Sequence, residues 1–173
     1  MAIKKIFQRD GDAGIKQTLE NMSALVTATD ENRTIKEKAR QIISDLNPDD
    51  ELGQIRAIFA WVQSNLKYVR DIYGVEELTR PDRVVYNIDN GKDTHSSDCD
   101  DFAMLLSALL RSVGFRTRVE AIAFYTPDGY DHARCAVYSQ TLNEWLPLEG
   151  TRPGVEIGFG LESKKTILGL EIL

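Results

Sequence analysis

Three side chains in this chain have the types that covalent acyl chemistry needs: Cys99, His132 and Glu149. A thiolate attacks a carbonyl carbon, an imidazole shuttles the proton, and a carboxylate fixes the ring tautomer. The three are far apart in sequence, so the fold has to bring them together. Cys99 lies in Ser97-Asp98-Cys99-Asp100-Asp101-Phe102, with an apolar run from Ala103 to Val113 directly after it. Phe102, Leu106, Leu109 and Val113 recur at helical spacing, with Leu105 and Leu110 flanking that stripe. Asp98 suits an N-cap, Asp100 and Asp101 are first-turn acids, and Gly114 fits the stop after Arg111. A cysteine at the mouth of a short buried helix meets free backbone N–H groups and the positive end of the helix dipole. Both favour the thiolate.

The other two candidates need a sheet. After Gly114 the periodicity becomes strand-like: residues 115–124 alternate, Thr126-Pro127-Asp128-Gly129 is a turn, and His132 to Ser139 alternates again. A second turn over residues 140–143 leads to Glu144-Trp145-Leu146-Pro147-Leu148-Glu149. The expected result is a three-stranded antiparallel meander behind the cysteine helix. Neighbouring strands lie about 4.8 Å apart, which sets His132 at the start of one beside Glu149 at the end of the next. Arg134, Ala136 and Tyr138 share the face of His132; Cys135 takes the other face and is expected to be a buried packing residue.

Upstream, helices are expected over residues 11–29 (around Ile15, Leu19, Met22 and Val26) and from Thr34 to Leu46. A third should open on Asn47 as cap and Pro48 at the first helical position, and run to about Leu66. Lys67-Tyr68-Val69 then turns extended. Residues 71–98 are polar and broken, with a short helix at Pro81 to Ile88. The end, Thr166 to Leu173, reads as one more strand or as an oligomer contact. A chain of 173 residues fits one domain, here residues 1–173. It divides into a helical extension over about 1–47, a core over about 48–153 and a tail at 154–173.

Composition narrows the function. A hydrophobic content of 42% and a charged content of 28% are those of an ordinary globular protein. The net charge of −6 with no Lys/Arg cluster speaks against nucleic acid as a partner. Residues 1–10 are too short in apolar length for a secretory segment, and no stretch approaches a membrane span. Two cysteines make no disulfide framework, and a reducing cytoplasm fits them best.

Four segments together carry a family resemblance. They are Trp61 to Asp71 (WVQSNLKYVRD), Asp98-Cys99-Asp100-Asp101 with its Leu-rich helix, Asp131-His132-Ala133, and Glu144 to Thr151 (EWLPLEGT). In this order, over roughly residues 52–153, the chain resembles the transglutaminase-like domain, in the small stand-alone form of bacteria and tailed phages. The resemblance implies an α+β fold of the transglutaminase-like, papain-like cysteine proteinase type, with a cysteine-bearing core helix packed on an antiparallel sheet. It also implies Cys99 as nucleophile, His132 as general base and acid, Glu149 as orienting carboxylate, and amide bonds of a protein or peptide as substrate. Peptidase, deamidase and transglutaminase-type transfer all remain open, and a phage or prophage origin is plausible from length. Two positions depart from the family pattern. Ser97 stands where Gly is usual before Asp-Cys, and Glu149-Gly150 stands where Asp-Pro is usual. Glu reaches about one bond further than Asp, so a small backbone retreat is expected to restore the hydrogen bond.

Competing readings belong beside these. Cys99 is alternatively a small buried hydrophobe, His132 a satisfied strand histidine, and His95 a surface residue or a substrate gate. Trp61 and Trp145 read most simply as core. Three carboxylates beside a thiol oppose thiolate formation, so Asp98 is expected to cap the helix and Asp101 to turn toward a structural partner. A metal held by His95, Cys99 and His132 fits no known ligand spacing, and no cofactor is expected. An oxyanion donor is sought between Gln63 and Tyr68, with Asn65 and Tyr68 the polar candidates. The alternative to an enzyme is a scaffold or protein-binding module that kept the fold and lost the chemistry, for instance in a phage or prophage assembly; a third reading has Thr166 to Leu173 anchor the domain in a larger assembly.

Overall fold

The computed structural model describes residues 3–6, 11–69, 76–92 and 97–173; the reading of His95 falls outside the described residues. In chain order the elements are β1 (Ile3–Ile6), α1 (Asp12–Thr27), α2 (Arg33–Ile43), α3 (Glu51–Asn65), β2 (Glu76–Thr79) and α4 (Pro81–Asp89). They continue with α5 (Cys99–Ser112), β3 (Thr117–Ile122), β4 (His132–Ser139), β5 (Glu144–Leu148) and β6 (Leu168–Glu171). The fold is α+β, with helices packed on a four-stranded antiparallel sheet.

The core is built around α5. Every residue from Asp100 to Leu110 is buried, because α1, α2 and α3 pack against it from one side and β3 and β4 from the other. The stripe Phe102, Leu106 and Leu109 is therefore only part of what is enclosed; Met104, Leu105, Ala108 and Leu110 are buried as well. A helix apolar on all sides is stable only where packing surrounds it. Val113 is the C-cap, and Gly114, at φ 99°, takes the left-handed conformation that ends the helix.

The sheet has the order β5-β4-β3-β6, all neighbours antiparallel. Its inner face presents Val119, Ala121, Ala133, Cys135, Val137, Leu146 and Leu148 to the core. Cys135 is fully buried, as its alternation in β4 implied, and faces α5, accepting a hydrogen bond from Ser107 Oγ at 3.3 Å. Burial pushes its thiol pKa up to about 12, with Ser107 opposing that rise and Glu120 adding to it.

Several expectations need correction. The meander gains a fourth strand: β6 pairs with β3, Ile172 N–H donates to Thr117 O at 3.0 Å, and Arg111 donates to the Ile172 carbonyl. Of the two readings of Thr166 to Leu173 the strand is the one borne out, over Leu168–Glu171. α3 starts at Glu51 with Asp50 as its cap, accepting from Gly53 N–H at 2.9 Å; Asn47 instead closes the preceding turn by accepting from Asp49 N–H. α2 stops at Ile43, short of Leu46. Trp145 is a partly buried residue of the outer sheet face, with the Arg118 guanidinium 4.6 Å from its ring centroid. Trp61 is also only partly buried, packing on the core edge under Lys38. The pairing of β1 with β2 had no counterpart in the sequence reading.

Since Leu106 is fully buried at the centre of α5, Leu106→Ala is expected to cost about 2–5 kcal/mol of unfolding free energy in a denaturant titration. The loss should fall on one cooperative transition. Separate unfolding of α1 and α2 would overturn the expectation that residues 1–173 form a single domain.

Candidate active site

Cys99 is the first residue of α5, and the reason is local. Asp98 is extended and its carboxylate accepts from Asp100 N–H at 3.1 Å and Asp101 N–H at 3.4 Å. Asp101 accepts from Thr79 N–H of β2 at 2.9 Å. Both arrangements match what the sequence led one to expect of these acids. Asp100 behaves differently: its Oδ1 lies 3.8 Å from Cys99 Sγ, within reach of the S–H. The helix terminus therefore favours a thiolate while Asp100 opposes it. Cys99 itself is half-buried.

His132 opens β4 opposite Ile122 of β3, and Glu149 directly follows β5. Both Glu149 carboxylate oxygens lie 2.9 Å from His132 Nε2. Glu149 is fully buried and His132 nearly so. Burial alone would raise the carboxyl pKa. The hydrogen bond and charge of His132, the Thr151 hydroxyl and the charge of Arg134 outweigh it and hold Glu149 below the usual carboxylate range. An ionised carboxylate only accepts, so Nε2 carries the hydrogen and donates. Nδ1 is then the nitrogen left for proton exchange.

Gly150 links this pair to the cysteine helix. A Cβ there would meet Phe102 Cδ1 at 3.0 Å and Leu106 Cδ1 at 3.1 Å. The chain after β5 is thereby pressed onto the first two turns of α5, and Glu149 sits one residue from that contact. The residue after Glu149 therefore packs against the helix that Cys99 opens.

The remaining candidates divide. Tyr68 lies nearest the cysteine in the backbone: it bridges in parallel to Ser97, and Val69 N–H donates to Ser97 O at 3.0 Å. Gln63 donates its amide to Arg152 O at 2.6 Å, and Asn65 donates its own to Trp61 O within α3. Among the described residues no group of three or more His, Cys, Asp and Glu side chains is arranged to hold a metal ion. Two contributors were missed from sequence. Thr151 Oγ donates to Glu149 Oε1 at 2.7 Å; a hydroxyl two residues beyond a carboxylate was the available signal. Asp131 accepts from Phe124, Tyr125 and Thr126 N–H at 2.8, 2.9 and 3.3 Å and so fixes the loop leading into His132.

Because the Glu149 pKa is depressed, its charge stabilises the fold above the ordinary Glu value of 4.5 and that contribution disappears as pH falls through the lowered one. The stability advantage of the native chain over Glu149→Gln is therefore expected to shrink between neutral pH and pH about 3, measured by urea unfolding. A gap that stays constant over that range would show that Glu149 is not held ionised by His132.

The family model of the transglutaminase-like superfamily matches residues 36–150. No curated protein sequence matches the chain. Among solved structures the chain is similar to a candidate cysteine protease from Cytophaga hutchinsonii, at 18% identity and TM-score 0.48 over 79% of this chain and 46% of that one. It is similar also to a candidate protease from Parabacteroides distasonis, at 12% identity and TM-score 0.50 over 81% of this chain and 31% of that one. A third is LapG of Legionella pneumophila in an EGTA-treated form, at 19% identity and TM-score 0.45 over 80% and 78%. The chain spans less than half the length of the first two of these proteins. With the family match covering most of the chain and all three candidate residues, the chain belongs to the transglutaminase-like superfamily.

Proposed function

We propose that this protein is a cysteine-dependent enzyme acting on amide bonds of proteins or peptides. The observation that carries the reading is the buried Glu149 carboxylate, centred on His132 Nε2 at 2.9 Å from both oxygens. The packing of Gly150, next to Glu149, on Phe102 and Leu106 of the Cys99 helix supports bringing that pair to the thiol. A satisfied structural histidine does not need a carboxylate buried for it, since burying that charge costs free energy unless it is answered.

In the proposed reaction the Cys99 thiolate attacks the amide carbonyl carbon and forms the C–S bond. His132, held through Nε2, has taken the Cys99 thiol proton on Nδ1 and gives it to the leaving nitrogen as the C–N bond breaks, which leaves a thioester. His132 then takes a proton from the incoming water or amine, and the new nucleophile releases the thiolate. Water yields peptidase or deamidase activity; an amine yields transglutaminase-type transfer. The carbonyl oxygen in the tetrahedral stage needs donors, and the Cys99 N–H at the helix start together with the Tyr68 segment are the proposed ones. Free thiols at Cys99 and Cys135 suit a reducing compartment such as the cytoplasm. Among the described residues no helix is long and apolar enough to cross a membrane.

A second reading is supported by Asp100. A carboxylate 3.8 Å from Sγ stabilises the neutral thiol, as expected of a scaffold or binding module, for instance in a phage assembly, that no longer performs the chemistry.

Alkylation by iodoacetamide near pH 6 separates the two. Cys99 is expected to react at least tenfold faster than the thiol of an unstructured peptide, with that excess lost in His132→Ala. Cys135, buried and with its thiol pKa near 12, should stay unmodified until the protein is unfolded. A Cys99 rate equal to the peptide's, unaffected by His132→Ala, would favour the scaffold.

A further inference from the structure

We propose that Arg152 selects an acidic side chain on the polypeptide that this site acts on. The proposal deepens the enzymatic reading and rests on Cys99 as the reacting group. Arg152 is held between Glu149 and the end of α3 by its backbone. Its N–H donates to Glu149 O at 3.4 Å, and its carbonyl accepts from Gln63 at the end of α3 at 2.6 Å. The guanidinium is placed as well, with Cζ 5.2 Å from the centroid of the Phe124 ring. Phe124 is in turn anchored through its N–H to Asp131, the neighbour of His132. The cation therefore sits where the end of β3, the start of β4 and the residues after β5 meet, which is the end that carries His132 and Glu149.

Its charge is available. The arginines in and next to the sheet have carboxylate partners: Arg116, just before β3, pairs with Glu171, and Arg118 and Arg134 pair with Glu120. Arg152 is exposed and forms no ion pair among the described residues. An aromatic ring under a guanidinium attracts it without neutralising it, and leaves the planar N–H fork open to a carboxylate. Tyr125, 70% exposed, stands edge-on to Phe124 at 4.8 Å and extends the apolar ledge beside that cation. In a chain of net charge −6, with Asp98, Asp100 and Asp101 flanking the cysteine, such a cation changes which substrates approach. It offsets the repulsion that Asp100 and its neighbours impose on an acidic peptide.

Two alkylating probes of nearly equal size test this on the intact protein. Iodoacetate and iodoacetamide both form a C–S bond to the Cys99 thiolate and expel iodide, but only the first carries a carboxylate. The ratio of their rates, read by mass spectrometry at pH 9, cancels differences in thiol reactivity and so reads the local charge even if alkylation is slow. Arg152→Gln is expected to lower the iodoacetate-to-iodoacetamide ratio about twofold or more, Arg152→Glu further, and Arg152→Lys to retain it. Salt at about 1 M should bring the native ratio toward that of Arg152→Gln. Cys135 remaining unmodified verifies that each variant is folded. An unchanged ratio in Arg152→Gln and Arg152→Glu overturns the proposal. A slow iodoacetamide reaction with no dependence on His132 overturns the enzymatic reading instead, and the two failures are distinguishable.

Discussion

A helix enclosed on every side cannot leave its first N–H groups to water, and this constraint organises the protein. α5 begins inside the molecule, where the positive end of its dipole and its unpaired donors must be answered by protein groups. Asp98 answers two of the donors with its side chain, and its carbonyl accepts the first helical bond, from Phe102 N–H at 3.2 Å. Fixing the cap fixes which residue is first in the helix, and that residue is Cys99. The thiol thereby gains the positive end of the helix dipole and half-exposure together, set against the Asp100 carboxylate 3.8 Å away, whereas Cys135 on β4 is fully buried.

Burying so many acids near one thiol requires that each be held by donors. Asp98 and Asp101 are bound to backbone N–H groups, and Glu149 is bound to His132 and Thr151. Glu120 is buried beneath the outer face of the sheet, accepting from Arg134 at 2.7 Å and Arg118 at 2.6 Å. Arg134 also donates to Leu161 O at 3.2 Å, which ties the chain after β5 across that face, and its charge helps keep Glu149 ionised. This ion network lies on the sheet face opposite α5, the face that Arg134 shares with His132 by the alternation of β4. Removing one member of such a network leaves a buried charge unanswered, which costs more than the pair itself contributes.

What the sequence made legible were the features with a short-range cause. The cap at Asp98, the helix it opens, the proline that begins α4 and the alternation from His132 to Ser139 are each written in adjacent residues, and each appears where it was expected. The pairing of His132 with Glu149 was legible because a hairpin connects their strands. The pairings of β1 with β2 and of β6 with β3 were not, because they join distant segments. The charged IKKI and EELT and the glycine-bearing LGLE carry no strong alternation of their own. Asp50 displaced Asn47 as the cap of α3 because Asn47-Pro48-Asp49-Asp50 closes a turn first, with Asp50 N–H donating to Asn47 O at 2.9 Å. Glu51 was equally hidden: its carboxylate binds Gln140 and Thr141 N–H across 89 and 90 residues of sequence. Trp145 looked like core by its type, but its register beside Tyr138 puts it on the face where Arg118 covers it.

The substitution of Glu149-Gly150 for the usual Asp-Pro shows how a site can be rebuilt around a longer acid. A Glu side chain needs its backbone set further from the imidazole than an Asp does. Here the following residue lies against Phe102 and Leu106 so closely that even a Cβ would crowd them, and glycine alone fits without displacement. The extra torsion of Glu would also cost order, since a longer side chain loses more rotamer freedom on being fixed. Thr151 counters that by donating to Oε1, so the carboxylate is held from two sides and meets Nε2 symmetrically. Glu149, Gly150 and Thr151 therefore work as one unit. Restoring Asp at the first position alone would leave the imidazole short of its partner and the threonine hydroxyl without its acceptor.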